Sequence, residues 1–157
     1  MAITLKKGDK APDFTGIDQD GNKFSLKENK GRKIALYFYP QDLTATCTVQ
    51  ACNLRDHHQD LQVAGITIIG VSPDDAAKHQ RFISKNKLPF TLIADTNLKI
   101  CKKYGVWEEK QMFGHKYMGV LRTTFIIDEK GKIIEVITRP RSKQHAAEIL
   151  AAIENGG

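Results

Sequence analysis

Two cysteines five residues apart, Cys47 and Cys52, are the side chains of this sequence that are best suited to do chemistry. An ordinary cysteine thiol has a pKa of about 8.5, so only a few per cent of it is thiolate at neutral pH. The positive end of a helix dipole, unpaired first-turn N–H groups and a nearby cation all favour the thiolate, which is the nucleophilic form. A cysteine that lies where a helix begins is therefore a candidate nucleophile.

The residues on either side of Cys47 predict such a junction between a strand and a helix. Residues 34–39 form a continuous apolar run that stops at Pro40, a pattern typical of a central strand buried on both faces. Apolar positions over residues 46–64 are compatible with a helix, and Thr44 or Thr46 is a suitable N-cap. Cys47 is then expected in the first turn of that helix.

The remaining elements alternate between strands and helices. A turn at residues 18–21 predicts a hairpin within residues 11–26. We predict further strands at residues 66–71, 91–93, 123–127 and 133–137, the last two joined by a hairpin turn, and helices at residues 74–87, 97–104 and 144–154. This order predicts the α/β class and a thioredoxin-like fold, in which helices flank a mixed central sheet that follows an N-terminal β-hairpin.

Composition narrows the class of protein. The 157 residues are 41% apolar and 27% charged, and no linker interrupts them, so we predict a single domain over residues 1–157. Residues 34–39, the longest purely apolar run, are too few to span a bilayer, and the first residues lack the apolar core of a signal peptide, which favours a cytoplasmic location. The net charge of +6 is scattered along the chain among acidic residues, so neither nucleic acid nor membrane is an expected partner.

The segment before Cys47 resembles the signature of the peroxiredoxins: a proline, three residues, a threonine or serine, two residues, and the peroxidatic cysteine. Pro40, Thr44 and Cys47 match it in type and spacing. Within the peroxiredoxins, the sequence most resembles the peroxiredoxin Q subfamily, also called bacterioferritin comigratory protein. The resemblance extends over nearly the whole chain in that subfamily's own order, through residues 8–14, 18–21, 37–40, 47–52, 54–56, 70–72, 104–107 and 122–128.

The resemblance implies a thiol peroxidase that reduces hydrogen peroxide and organic hydroperoxides. Thiolate attack on an O–O bond needs a desolvated sulfur, donors to the peroxide oxygens and an in-line approach. By the resemblance, Cys47 supplies the thiolate and Thr44 a hydroxyl that holds the peroxide. Arg122 supplies a fixed cation for both sulfur and oxygens, and Pro40 shields the sulfur from water.

Cys52 is the expected resolving thiol. Attack leaves a sulfenic acid on Cys47, which must be captured before further peroxide oxidises it irreversibly. On an ideal helix the two Cα atoms would lie about 8 to 9 Å apart, whereas a disulfide needs less than about 7 Å. We therefore expect the first turns of the helix to unwind, so that an intramolecular Cys47–Cys52 disulfide forms. The resemblance implies thioredoxin, or a similar dithiol, as the reductant.

One pair of residues departs from the subfamily pattern. Proline and glycine usually stand between the threonine and the peroxidatic cysteine, where this chain has Ala45 and Thr46. The chain therefore lacks the fixed φ angle of a proline and the conformational freedom of a glycine at these two positions. We expect this change to affect the rate of the reaction more than its type.

The other candidate ligands and thiols carry no predicted site. Cys101 is expected to be a buried small hydrophobic side chain. The sequence has five histidines, but no Cys-x-x-Cys or His-x-x-x-His pair accompanies them. It also has no glycine-rich phosphate loop and no dinucleotide-binding motif. We expect neither a metal nor an organic cofactor.

Two other functions compete with a peroxidase. A thioredoxin-like disulfide oxidoreductase would pair its thiols as Cys-x-x-Cys, which Cys47 and Cys52 do not do. A non-catalytic thioredoxin-fold binding module would leave the set of Pro40, Thr44, Cys47 and Arg122 unexplained.

An internal resolving thiol needs no second subunit, so we expect a monomer, with a weak dimer as the alternative.

Overall fold

Strands and helices alternate along residues 4–156, which are the residues that the computed structural model describes. The strands are β1 (Thr15–Ile17), β2 (Lys23–Ser25), β3 (Lys33–Phe38), β4 (Ile66–Ser72), β5 (Thr91–Ala94), β6 (Trp107–Met112), β7 (His115–Val120), β8 (Thr123–Ile127) and β9 (Ile133–Thr138). The α-helices are α1 (Ala45–Asp56), α2 (His58–Val63), α3 (Ala76–Asn86), α4 (Lys99–Lys103) and α5 (His145–Gly156), with short 3-10 turns at Lys27–Asn29 and Ser142–Gln144.

The central sheet has the strand order β5-β4-β3-β8-β9. The pairs β3–β4 and β4–β5 are parallel, while β3–β8 and β8–β9 are antiparallel, so the sheet is mixed as predicted. Alternate residues of β3 enter two apolar cores: Leu36 and Phe38 pack on one face, and Ala35 and Tyr37 pack on the other. Burial on both faces explains why the sequence of β3 is a continuous apolar run. The predicted α/β fold is confirmed.

The N-terminal hairpin and the helices differ little from their predicted ranges, with one exception. Residues 46–64 were expected to form a single helix, but the helix is interrupted at His57, whose φ and ψ are −107° and 18°. Leu54 and Leu61 lie on either side of the break and are both fully buried, so the bend keeps both side chains against the sheet. No helix within residues 4–156 is long and apolar enough to cross a membrane.

The β6–β7 hairpin is not predicted from the sequence. Its turn residues, Phe113 and Gly114, have φ angles of 51° and 80°, as a two-residue type I′ turn requires. Phenylalanine is an unusual residue at the first of these positions, and most of the flanking side chains are exposed rather than alternating. The hairpin matters for function because β7 ends two residues before Arg122.

Candidate active site

The loop between β3 and α1 brings the predicted site residues to one end of the central sheet. Thr44 is extended, with φ −75° and ψ 157°, and is the N-cap residue of α1, so Cys47 lies in the first helical turn as predicted. Phe38 pairs with Thr123 across the sheet, which places Arg122 beside the end of β3. The side chain of Cys47 is only 1% exposed. The sulfur is thus held in a nearly water-free position at the positive end of α1.

Arg122 contacts the sulfur directly. One terminal nitrogen of its guanidinium lies 3.2 Å from Sγ of Cys47, and the other donates to Oε1 of Gln50 at 3.4 Å. An arginine side chain is always charged in a protein, so this contact favours a thiolate over a thiol. The predicted proximity of Arg122 to Cys47 is therefore observed.

Gln50 is a site residue that the sequence reasoning missed. It is 1% exposed and lies three positions after Cys47 on α1, so the two side chains share one face of the helix. Among residues 4–156 its Nε2 group has no hydrogen-bond partner, although it is buried. The spacing i, i+3 was the signal that could have identified it.

The hydroxyl of Thr44 is oriented by the loop itself. Its Oγ1 atom donates to the carbonyl of Gln41 at 3.1 Å and makes no capping bond to the helix. Because the proton is committed to that carbonyl, the oxygen presents its lone pairs, which is the arrangement needed to accept a hydrogen bond. Pro40 is half-buried at the start of the same loop.

A buried network of polar side chains anchors this loop to the rest of the fold. Asp42 accepts hydrogen bonds from the hydroxyl of Tyr39 at 2.6 Å and from Nδ1 of His79 at 2.5 Å. The other ring nitrogen of His79 faces the carbonyl oxygen of Ile93 at 2.9 Å. Since a carboxylate and a carbonyl only accept, both ring nitrogens of His79 donate, and the ring forms a buried ion pair with Asp42. The next residue, Leu43, has a left-handed φ of 66°.

Asp74 completes this network. Its carboxylate accepts from the backbone N–H of Asp42 at 2.6 Å and from Oγ of Ser72 at 2.7 Å, and it forms an ion pair with Lys78 at 3.1 Å. Asp42, Asp74 and His79 are grouped closely enough to hold a metal ion. Their facing oxygen and nitrogen atoms already bond to protein groups, however, so the cluster is complete as a support for the loop.

Cys52 lies farther along the same helix. It is half-buried, and its Sγ atom lies 3.6 Å from Oδ1 of Asn86 at the end of α3. Cys47 and Cys52 are both free thiols, and both belong to the continuous helix α1. Helix geometry therefore separates their Cα atoms by about 8 to 9 Å, more than a disulfide spans.

The third thiol lies in a different environment. Cys101 is fully buried in α4, and burial together with the nearby Asp95 carboxylate raises its pKa well above the ordinary range. The buried position expected for Cys101 is confirmed. A thiol of this kind is protonated and weakly reactive.

Two buried tyrosines line the floor of the site. Burial is the main cause that raises the pKa of Tyr37 well above 10.0, and the Cys47 and Asp42 side chains add to the effect. The pKa of Tyr39 is raised by the same desolvation and by its neighbours Tyr37 and Asp42. Both phenols therefore remain uncharged and add no negative charge beside the Cys47 sulfur.

Comparisons with known proteins place these residues in a wider context. The AhpC/TSA family model matches residues 7–136. Peroxiredoxin Bcp of Bacillus subtilis is 40% identical over 153 residues, 98% of this chain and 98% of that protein. Peroxiredoxin Bcp of Escherichia coli strain K12 is 43% identical over 141 residues, 90% of each chain.

Solved structures of similar proteins have the same fold. Peroxiredoxin Q of Xanthomonas campestris has a TM-score of 0.85 at 28% identity and covers 90% of both chains. Peroxidoxin BcpB of Mycobacterium tuberculosis has a TM-score of 0.85 at 29% identity, with 96% of this chain and 97% of the other covered. Residues 7–136, which the family model matches, include the loop before α1 with Cys47 and the start of β8 with Arg122.

Proposed function

Because this chain belongs to the AhpC/TSA family and is a peroxiredoxin, an enzyme that reduces peroxides, we propose that Cys47 is its peroxide-attacking thiolate. The contact of 3.2 Å between Arg122 and the Cys47 sulfur carries this proposal. A fixed cation and the helix N-terminus act together on a sulfur that is almost shielded from water.

The first step oxidises the sulfur by two electrons. The Cys47 thiolate attacks one peroxide oxygen, an S–O bond forms, and the O–O bond breaks. The departing oxygen takes up a proton and leaves as water or an alcohol. Arg122 stabilises the charge that moves from sulfur to the departing oxygen, and the lone pairs of Thr44 hold the peroxide proton. Pro40, half-buried at the start of the loop, is assigned the role of shielding the sulfur from water.

The second step forms the disulfide. The thiolate of Cys52 attacks the sulfur of the Cys47 sulfenic acid, an S–S bond forms, the S–O bond breaks, and the departing hydroxide takes up a proton and leaves as water. The two sulfurs come together only if part of α1 unwinds, and the contact of Cys52 with Asn86 is then lost. A dithiol reductant of the thioredoxin type restores both thiols by exchange at the exposed disulfide.

Mass spectrometry after one equivalent of peroxide tests both steps. We expect a Cys47–Cys52 disulfide in the unaltered protein, a stable Cys47 sulfenic acid in Cys52→Ser, and no oxidation in Cys47→Ser. Cys101→Ser is the matched control, because its thiol is buried away from the site, and it should behave as the unaltered protein does. A Cys47–Cys101 bond or a Cys47-linked dimer would contradict the assignment of Cys52.

Three further features are proposed with this function. We propose that residues 1–157 form a single domain, that the chain acts as a monomer, and that it works in the cytoplasm. The internal pair of cysteines supports the monomer, because no partner subunit has to supply a thiol. Sedimentation of the reduced and oxidised protein tests it, and a stable dimer in both forms would overturn it.

A further inference from the structure

Lys110 occupies a specific position on the β6–β7 hairpin. Its Nζ atom donates to the carbonyl oxygen of Val120 at 3.1 Å and lies 6.0 Å from the centre of the Tyr117 ring. Lys110 is half-buried, although the hairpin is otherwise largely exposed. The ammonium group is therefore fixed at the end of β7, two residues before Arg122.

Gly119 provides the space for this side chain. A Cβ atom at position 119 would come within 3.0 Å of Cδ of Lys110 and 3.3 Å of the Tyr117 ring. The stem of Lys110 therefore lies directly over the backbone of β7, with Tyr117 on one side. A solvated surface lysine does not need such a packing surface, because its side chain extends freely into water.

The charge of Lys110 interacts with the groups that carry the reaction. Burial is the main cause that lowers its pKa below 10.5; Arg122 lowers it further, and the Cys47 side chain raises it. Coupling between two charges is reciprocal, so an ammonium that is favoured by the thiolate favours the thiolate equally. The sign of this coupling agrees with the geometry, in which the Lys110 ammonium is bound at the carbonyl of Val120, two residues before the arginine that contacts the sulfur.

We propose that Lys110 is a second cation of the peroxidatic site, which the β6–β7 hairpin positions to stabilise the Cys47 thiolate. The proposal rests on the proposed role of Cys47 and assigns the hairpin a part in the reaction. Arg122 makes the direct contact with sulfur, and Lys110 adds to the positive potential without touching it.

Several other charged or titratable groups surround Cys47. Tyr37 on β3, Asp42 in the loop and Cys52 on α1 act on the same region, and Arg122 stands at the head of β8. Glu108 lies two residues before Lys110 on the same face of β6. Because all of these remain when Lys110 alone is changed, the effect of one cation can be isolated.

Thiol titration in a protein that retains only Cys47 tests the proposal. In a Cys52→Ser, Cys101→Ser background, the rate of alkylation by iodoacetamide as a function of pH reports the ionisation of Cys47 directly. For Lys110→Met we expect the midpoint to rise by about half a unit to one unit. At pH values below both midpoints, this means a thiolate fraction about three- to tenfold lower. Lys110→Arg should restore the original midpoint.

Lys116→Met is the matched control on the same hairpin. Lys116 pairs with Gln111, so its side chain points to the face opposite Lys110, and its removal should leave the midpoint unchanged. An unchanged midpoint in Lys110→Met, or equal shifts in both variants, would overturn the proposal. Alkylation of Cys47 needs no peroxide turnover, so it tests the role of Lys110 independently of catalysis. Absence of peroxidase activity in the unaltered protein would instead overturn the proposed function.

Discussion

Arg122 and Cys47 meet although 75 positions separate them in the sequence. The sulfur is placed by α1 and the guanidinium by β8, so the central sheet determines whether the two groups touch. At the scale of single residues, the proposed chemistry depends on the positive charge of Arg122 in direct contact with one nearly buried sulfur. Removing the charge while keeping the hydrocarbon stem separates its electrostatic role from its packing role.

Arg122→Met should therefore slow peroxide reduction by roughly a hundredfold, because fixed donors to a developing charge are lost. Arg122→Lys should recover only part of the rate, since a single ammonium cannot bond both Gln50 and the sulfur in the same geometry. Stopped-flow oxidation of Cys47 by hydrogen peroxide measures the effect. Arg32→Met removes an exposed arginine just before β3, at the opposite end of that strand, and serves as the control. A similar loss in that variant would point to net charge instead.

His145 gives the protein a pH-dependent stability. Its Nδ1 donates to Glu148 at 3.1 Å, and its Nε2 accepts from Thr124 Oγ1 at 2.8 Å, which describes a neutral ring. Burial lowers its pKa below 6.5 and outweighs the opposing effect of Glu148. The folded state thus binds this proton less tightly than the unfolded chain does. The stability contributed by the neutral ring is present above pH 6.5 and is lost as the pH falls below that value.

Urea unfolding at about pH 7.5 and about pH 5.5 tests this expectation. The unaltered protein should lose more unfolding free energy on acidification than His145→Gln, which has no ring to protonate. His115→Gln, at an exposed position of β7, should retain the full dependence. Equal losses in all three proteins would contradict the assignment to His145.

Helix α1 and the loop before it have opposite mechanical tasks. In the proposed cycle, the loop holds Thr44 and Cys47 in place for attack, whereas the helix releases Cys52 or Cys47 for the disulfide. The ion pair between Asp42 and His79 anchors the loop to α3, and His79 also bonds to β5 through Ile93. Within residues 4–156 no comparable buried ion pair holds Cys52, whose side chain makes a weak hydrogen bond to Asn86.

His79→Ala should destabilise the fold by about 3–5 kcal/mol, because it leaves the Asp42 carboxylate buried without its cation. Replacing both residues, in Asp42→Leu with His79→Leu, should recover part of that loss by removing the unpaired charge. Urea midpoints of the variants measure both effects, with the exposed His115→Ala as the control. A double variant that is as unstable as the sum of Asp42→Leu and His79→Leu measured singly would show that the pair is not coupled.

Across the whole molecule, local sequence signals predicted the elements but not the contacts between distant segments. The apolar run of β3 and the helix that follows Thr44 are local patterns, and both were predicted. His79 carries no local sign that it meets Asp42, because 37 positions separate them and only the β3–α3 arrangement joins them. The place of Arg122 beside Cys47 was expected from the family resemblance rather than from periodicity. The β6–β7 hairpin was missed because a phenylalanine occupies its turn.

The same architecture predicts which part of the molecule changes during the cycle. Strands β3 and β8 are buried on both faces and hold the site, while α1 follows the loop and includes both thiols of the proposed cycle. Local unfolding draws on segments with few buried contacts, and Cys47, Gln50, Ala51 and Leu54 are the buried residues of this 12-residue helix. We therefore expect oxidation to open α1 and to leave the sheet intact.

Amide hydrogen exchange of the reduced and disulfide forms tests this division. Amides of α1, including the Thr48 N–H that bonds to Thr44, should lose protection on oxidation, while those of β3 and β8 should keep it. Cys52→Ser treated with one equivalent of peroxide is the control, because its sulfenic acid forms without the pull of a disulfide. In an intact helix, geometry keeps the two Cα atoms more than about 7 Å apart, which is too far for a disulfide. If α1 kept its protection in a fully formed Cys47–Cys52 disulfide, the expected unwinding would be wrong.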